Sequence, residues 1–103
     1  MDGVQQGRVM VNGRFSPLNN NYSVKINRGM AVWTSSGAEA GFSAGVVVPQ
    51  GSDEVTHLLL GRLPITSEYR LIPVWLIECI ADENIHLNVD CNEILKLGLH
   101  QPA

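Results

Sequence analysis

Residues 29–97 decide the fold. They read GMAVWTSSGAEAGFSAGVVVPQGSDEVTHLLLGRLPITSEYRLIPVWLIECIADENIHLNVDCNEILKL. Short apolar segments alternate here with clusters of Gly, Pro, Asn, Asp and Ser, which is the pattern of short strands joined by turns. We predict strands over 30–34, 41–49, 55–60, 68–72, 78–81 and 85–89. About six short antiparallel strands without a long helical period indicate an all-β fold, and at this size a small barrel removes exposed strand edges best.

Two short elements break this series of strands. Residues 73–77 begin with a proline, which suits a first helical turn, so we expect a single 3₁₀-like turn leading into the next strand. Asp90 or Asn92 can serve as the N-cap of a short C-terminal helix over 93–97, and Gly98 ends it. Residues 29–98 are therefore predicted to form one barrel domain, followed by a frayed tail over 99–103.

Residues 1–28 form an N-terminal extension in this interpretation. Residues 8–16 read RVMVNGRFS, and Asn12-Gly13 is the strongest two-residue turn signal, so we predict a hairpin there. Residues 17–21 contain one proline and three asparagines and are predicted to be a loop. Residues 22–26 alternate apolar and polar side chains, which is typical of a half-buried strand.

The composition indicates one globular domain. The chain has 103 residues, of which 45% are hydrophobic and 17% charged. The apolar runs are too short to span a membrane, and the first residues carry no apolar signal segment, so we expect a cytoplasmic protein. Cys79 and Cys91 do not have the spacing of a CxxC pair, and we expect two reduced, partly buried thiols rather than a disulfide.

Charge is distributed unevenly along the chain. Residues 1–28 carry four basic side chains and one acidic, whereas residues 29–103 carry three basic and nine acidic. An acidic body argues against general nucleic-acid binding by the barrel itself. The basic N-terminal segment either lies on the acidic body, which we favour, or binds an acidic partner.

The segment from Arg28 to Leu97 resembles a PRC-barrel domain. The resemblance is carried by segments 29–32, 36–37, 41–48, 54–60, 69–74, 82–89 and 92–95, which read GMAV, SG, GFSAGVVV, EVTHLLL, YRLIPV, DENIHLNV and NEIL. PRC-barrel domains occur in the H subunit of the photosynthetic reaction centre and in the ribosome maturation factor. The resemblance implies a small β-barrel that serves as a noncatalytic interaction module. It does not cover residues 1–28, and the partner domains of both relatives are absent, so neither activity carries over whole.

No residue pattern points to chemistry. His57, His86 and His100 are scattered without the spacing of zinc ligands, and we expect structural or exposed roles for them. The acidic pairs Asp53-Glu54 and Asp82-Glu83 lie in predicted turns and are best explained as solvated turn residues. The serines lack a nucleophile elbow, and the glycines of 37–45 do not open a helix. We therefore predict no catalytic residues, no metal site and no cofactor.

The apolar runs 46–48, 58–60 and 75–77 are the most informative feature. Neighbouring side chains of a strand point to opposite faces, so a run without alternation needs cover on both faces. We expect the N-terminal segment, the closing helix or another subunit to supply it, and infer a homodimer. The residues predicted to bind a partner are the aromatic and apolar side chains and the arginines at their rim: Trp33, Trp75, Leu76, Arg62 and Arg70.

Three functions follow from these observations. We favour a noncatalytic interaction module that self-associates or docks on a protein. The alternative is an accessory role in RNA metabolism or ribosome maturation, binding RNA or a ribosomal protein, as the basic N-terminal segment and the resemblance imply. A ligand-binding barrel or an enzyme would require a polar pocket that nothing in the sequence predicts.

Overall fold

The computed structural model describes residues 7–16, 24–52, 54–62 and 68–100. Within them the chain forms ten strands, a 3₁₀ turn over Val74–Leu76 and one short helix, α1, over Cys91–Ile94. The strands are β1 (Gly7–Met10), β2 (Gly13–Phe15), β3 (Val24–Ile26), β4 (Ala31–Trp33), β5 (Glu39–Pro49), β6 (His57–Gly61), β7 (Tyr69–Pro73), β8 (Ile77–Ala81), β9 (Asn84–Leu87) and β10 (Leu99–His100). The predicted loop over 17–21, the connection over 63–67, Asp53 and the last three residues lie outside the described residues.

The predicted all-β class is confirmed, and β4 to β9 are the six strands expected between residues 29 and 98. The main sheet has the order β10-β7-β6-β5-β4-β9-β8, with β1 added to β5, and β2 pairs with β3 in a separate sheet. Among the described residues the main sheet ends at β10 and β8 and is not closed, so the barrel stays a prediction. The expectation of antiparallel pairing throughout is wrong at one place, because β4 and β9 run parallel.

The hairpin predicted over residues 8–16 is wrong. β1 pairs with β5, whereas β2 pairs with β3, so the chain passes from one sheet to the other between them. Gly13 explains the difference, because a Cβ there would collide with Val55 and would lie 2.9 Å from a methyl carbon of Val46. The glycine allows close packing instead of a tight turn, and Asn12 Oδ1 accepts a hydrogen bond from the Arg28 amide at 3.1 Å.

One buried cluster contains residues of both the main sheet and the β2–β3 sheet. Phe15 and Ile26, which belong to the N-terminal extension, are part of the same buried cluster as the residues of the predicted barrel domain. The other large, fully buried apolar side chains come from β4 to β9 and are Val32, Val46, Val48, Leu58, Leu60, Ile72, Ile85 and Leu87. β2 and β3 therefore contribute to the core themselves.

The apolar run of β6 is buried on both faces. Leu58 and Leu60 belong to the core, and Leu59 points to the opposite, outer face, yet it is only 3% exposed. In register it lies between Gly45 of β5 and Leu71 of β7. β1 also approaches this face, because a Cβ on Gly45 would lie 2.8 Å from the carbonyl oxygen of Met10.

The short elements match the predictions in part. The 3₁₀ turn follows Pro73 as expected, and Asp90 caps α1 by accepting hydrogen bonds from the amides of Asn92 and Glu93. The helix begins and ends earlier than predicted. The expected fraying is wrong for Leu99 and His100, which pair with Arg70 and Tyr69 of β7. Within the described chain, no helix has the length and hydropathy needed to cross a membrane.

Candidate interaction surface

Trp75 is the most exposed large apolar side chain in the described part of the chain. Its side chain is 66% exposed, although backbone hydrogen bonds hold the turn that carries it. The Val74 amide donates to the Thr56 carbonyl at 3.1 Å, and the Asn88 amide donates to the Leu76 carbonyl at 2.8 Å. The sequence predicted this turn. In the structure, the turn exposes the indole of Trp75 to solvent, and its backbone is held in place by these hydrogen bonds.

Leu76 and Trp33, both predicted to bind a partner, are less accessible than Trp75. Leu76 is partly buried and packs against the core. Trp33 is half-buried in β4, and its Nε1 donates a hydrogen bond to Asn84 Oδ1 at 2.9 Å. The two tryptophans lie on separate elements, Trp33 between β5 and β9 and Trp75 in the turn joining β7 to β8. Their role in partner binding remains a prediction.

The two predicted rim arginines differ in their surroundings. Arg70 is half-buried, and its guanidinium donates to the carbonyl of Leu97 at 2.9 Å, which fixes the chain between α1 and β10. Arg62 is exposed. It lines an open cleft of about 320 Å³ together with Glu39, Ala40, Gly41 and Phe42.

A second apolar surface was not predicted from the sequence. Val9, Met10 and Val11 are consecutive, and their side chains are 49%, 41% and 55% exposed. The predicted hairpin over residues 8–16 led to this omission, because it would have paired these residues with the segment that follows Asn12-Gly13. The signal was present in the sequence, since these residues form an apolar run without alternation like those of β5 and β6.

The histidines are dispersed over the sheet, as far as the structure describes them. His57 is half-buried, its Nδ1 lies 3.1 Å from Thr56 Oγ1, and burial lowers the pKa of its imidazole from the usual 6.5. His86 lies in register with Trp33 on one side and Cys79 on the other. The side chain of His100 is outside the described atoms.

The cysteines and acidic residues also remain apart. Cys79 and Cys91 are free, as expected, but both are exposed rather than partly buried.

Glu54 accepts a hydrogen bond from the hydroxyl of Ser16 at 2.5 Å. Asp82 and Glu83 occupy the turn between β8 and β9 with φ of 52° and 65°. Across the described segments, no three His, Cys, Asp or Glu side chains are grouped so that they could hold a metal ion.

Comparison with known proteins adds no relative. No family model, no curated protein and no solved structure matches the chain. The resemblance to PRC-barrel domains therefore rests on the residues of this chain alone.

Proposed function

We propose that this protein is a noncatalytic interaction module of PRC-barrel-like form that associates with copies of itself and with a protein partner in the cytoplasm. The observation that carries the proposal is Trp75, held two-thirds exposed on a hydrogen-bonded turn. Two exposed free thiols, Cys79 and Cys91, are in keeping with a reducing compartment.

The energetics of the Trp75 surface favour binding over solvent exposure. Burial of a large apolar side chain is worth roughly 1.5–3 kcal/mol. Tryptophan is enriched among the residues that dominate interface energies. Because the turn is already fixed by the hydrogen bonds of Val74 and Asn88, binding through Trp75 would cost little backbone ordering.

Affinity capture with a matched pair of variants tests the partner-binding part. Trp75→Ala removes the exposed indole, whereas Leu95→Ala removes a side chain of similar exposure, 53%, near the end of α1. We expect proteins captured by the wild type to be lost with Trp75→Ala and retained with Leu95→Ala, by quantitative mass spectrometry. Equal capture by both variants would contradict a role for Trp75.

Light scattering tests the self-association. We expect the molar mass in solution to exceed that of the 11.2 kDa chain at tens of micromolar and to fall on dilution. A monomer over the whole concentration range would contradict this part of the proposal.

RNA binding is the second candidate function, and one observation favours it. Arg14 and Lys25 lie opposite each other across the β2–β3 pair, and both are exposed. Two basic side chains at this spacing can contact one phosphate group, and phosphate contacts supply most of the sequence-independent affinity for RNA. An isolated parallel β-bridge pairs the backbone of Arg14 with that of Glu54. RNA binding that weakens with salt and is lost in Lys25→Glu would support this candidate, and no binding at low salt would exclude it.

A further inference from the structure

One edge of β1 pairs with β5, and the other, here called the open edge, pairs with none of the described strands. The Val47 carbonyl of β5 accepts a hydrogen bond from the Thr56 amide at 2.9 Å, so the polar groups of Val47 point away from β1, on the β6 side. In an antiparallel pair, bonded and non-bonded residues alternate. Val46 and Val48 therefore bond to their register partners Met10 and Arg8. The amide and carbonyl of Val9 consequently point to the opposite edge of β1.

No strand among the described residues pairs with that second edge. The side chains along it are exposed on both faces of the strand, since Val9, Met10 and Val11 are consecutive and each is at least 41% exposed. An apolar strand edge with unpaired backbone groups is a template for another strand.

We propose that the open edge of β1 pairs with β1 of a second copy, antiparallel about a two-fold axis at Val9, so that the main sheets of two chains join. This inference rests on the proposed self-association and names the surface that produces it.

The charge pattern of the segment is compatible with its own copy as the occupant. In this register Val9 lies opposite Val9 of the other copy, and Arg8 lies opposite Met10. Arg8 is the single charged residue between Gly7 and Val11, so no charge faces a like charge directly. The aliphatic stem of Arg8 can cover the methionine side chain.

The neighbouring strand extends the apolar contact. Val9 lies in register with the half-buried Val47 on the outer face of the sheet. Pairing through Val9 would therefore make an apolar row that continues from one copy into the other. Because the same edge is used by both chains, the contact is closed by its two-fold axis and produces a dimer rather than a fibre.

Site-directed crosslinking tests the register. In a background with Cys79→Ser and Cys91→Ser, Val9→Cys places two thiols opposite each other. The Cα atoms of such a pair are about 5.5 Å apart, within the roughly 4.4–6.8 Å that a disulfide spans. Val11→Cys is the matched control, since its two copies would lie about 13 Å apart along the strands. We expect mild oxidation to make a covalent dimer the main species for Val9→Cys and a minor one for Val11→Cys.

A charge variant tests the same contact without a crosslink. Val9→Lys places two ammonium groups opposite each other, and we expect light scattering to show a shift from dimer to monomer with an unchanged circular dichroism spectrum. A dimer that neither crosslinks through Val9→Cys nor dissociates in Val9→Lys would overturn the β1 contact and leave the proposed function standing. Preferential crosslinking through Val11→Cys would overturn the register. A wild-type chain that is monomeric at every concentration would contradict the self-association itself.

Discussion

The indole of Trp33 and the side chain of Asn84 are joined by a hydrogen bond across the parallel β4–β9 pair, with 2.9 Å between Nε1 and Oδ1. The two residues are 51 positions apart in the chain. Asn84 also donates from Nδ2 to the Asp82 carbonyl at 2.8 Å. One amide side chain therefore links β4 to the turn that precedes β9.

A double-mutant cycle will measure this link. Trp33→Phe keeps the aromatic ring and removes the donor, and Asn84→Ala removes the acceptor. We expect a coupling of about 0.5–1.5 kcal/mol in the free energy of unfolding, the usual net value of one hydrogen bond. Urea denaturation of the two single variants and the double variant gives the coupling, and strictly additive effects would show that the bond contributes nothing.

Gly13→Ala should destabilise the protein strongly. The added methyl would collide with Val55 and crowd Val46, and overpacking of this kind costs roughly 1–3 kcal/mol. Gly98→Ala is the matched control, because its Cβ would only touch Leu71 at 3.9 Å. Urea denaturation of both variants is the measurement, and equal stability would argue against the close approach of β2 to the core.

Ser43→Ala should not lower stability. Ser43 is fully buried, and its hydroxyl has no hydrogen-bond partner among the described residues. Since an unpaired buried polar group costs about 1–3 kcal/mol, its removal should raise the free energy of unfolding. Thr34→Val is the control, because the buried Thr34 hydroxyl accepts a hydrogen bond from the Ala38 amide at 3.2 Å. If Ser43→Ala loses as much stability as the control, the serine hydroxyl is paired.

His57 should make the protein less stable in mild acid. Burial lowers the pKa of its imidazole from 6.5, so the unfolded chain binds the proton more readily than the folded protein. The stability that comes from the neutral ring is fully present above pH 6.5 and is lost as the pH falls through the folded-state pKa.

Thermal unfolding over this pH range measures the effect of His57. We expect His57→Gln to flatten the dependence of melting temperature on pH. His86→Gln, at a half-exposed position on β9, is the matched variant that removes a histidine elsewhere in the sheet. If the slope is unchanged in His57→Gln, the pH dependence of the melting temperature comes from another group.

Asp90→Ala should lower the melting temperature, whereas Asp90→Asn should change the melting temperature only slightly. Asp90 Oδ1 accepts from the Asn92 and Glu93 amides at 3.1 and 3.4 Å, and an asparagine oxygen can do the same. Hydrogen bonding to the Glu93 side chain and then to its amide lowers the pKa of Asp90 from 3.8. The carboxylate's contribution is therefore present above pH 3.8 and lost in stronger acid. Measuring the melting temperatures of both variants over a range of pH separates the contribution of the cap hydrogen bonds from that of the carboxylate charge.

The strands that the sequence predicted correctly are those bounded by local signals. β5 to β9 each begin or end at turn residues, and β6 and β7 pair with the strand that precedes them in the chain. The position of Pro73 predicted the 3₁₀ turn for the same reason. Alternation and turn chemistry act over a few residues, which is the range over which sequence patterns are informative.

The features that were missed depend on distant contacts. Asn12-Gly13 has the form of a hairpin turn, but the packing of Gly13 against β5 and Val55 prevails. β10 forms because its register partner is β7, 29 to 31 positions earlier in the chain. The parallel pairing of β4 with β9 has no local signature either.

The candidate surface was predicted in part. The sequence singled out both tryptophans, and nothing local distinguishes Trp33, bonded to Asn84, from the exposed Trp75. Arg70 was expected at the rim of a partner-binding surface. In the structure, its guanidinium donates a hydrogen bond to the carbonyl of Leu97 within the same chain. The β1 edge was missed because its exposure depends on which strand β1 pairs with.

The parallel β4–β9 pair also bears on how quickly the protein can reach its native state. β5, β6 and β7 pair with chain neighbours across short connections, so their ladders can form early. The β4–β9 pair can form only after the chain between them has folded back so that Asn84–Leu87 reaches β4. Closing a chain segment of this length costs more entropy than closing a short connection. We expect the docking of β9 on β4 to be the last and slowest folding step, and a chain shortened before residue 84 to be left with an unpaired β4 edge.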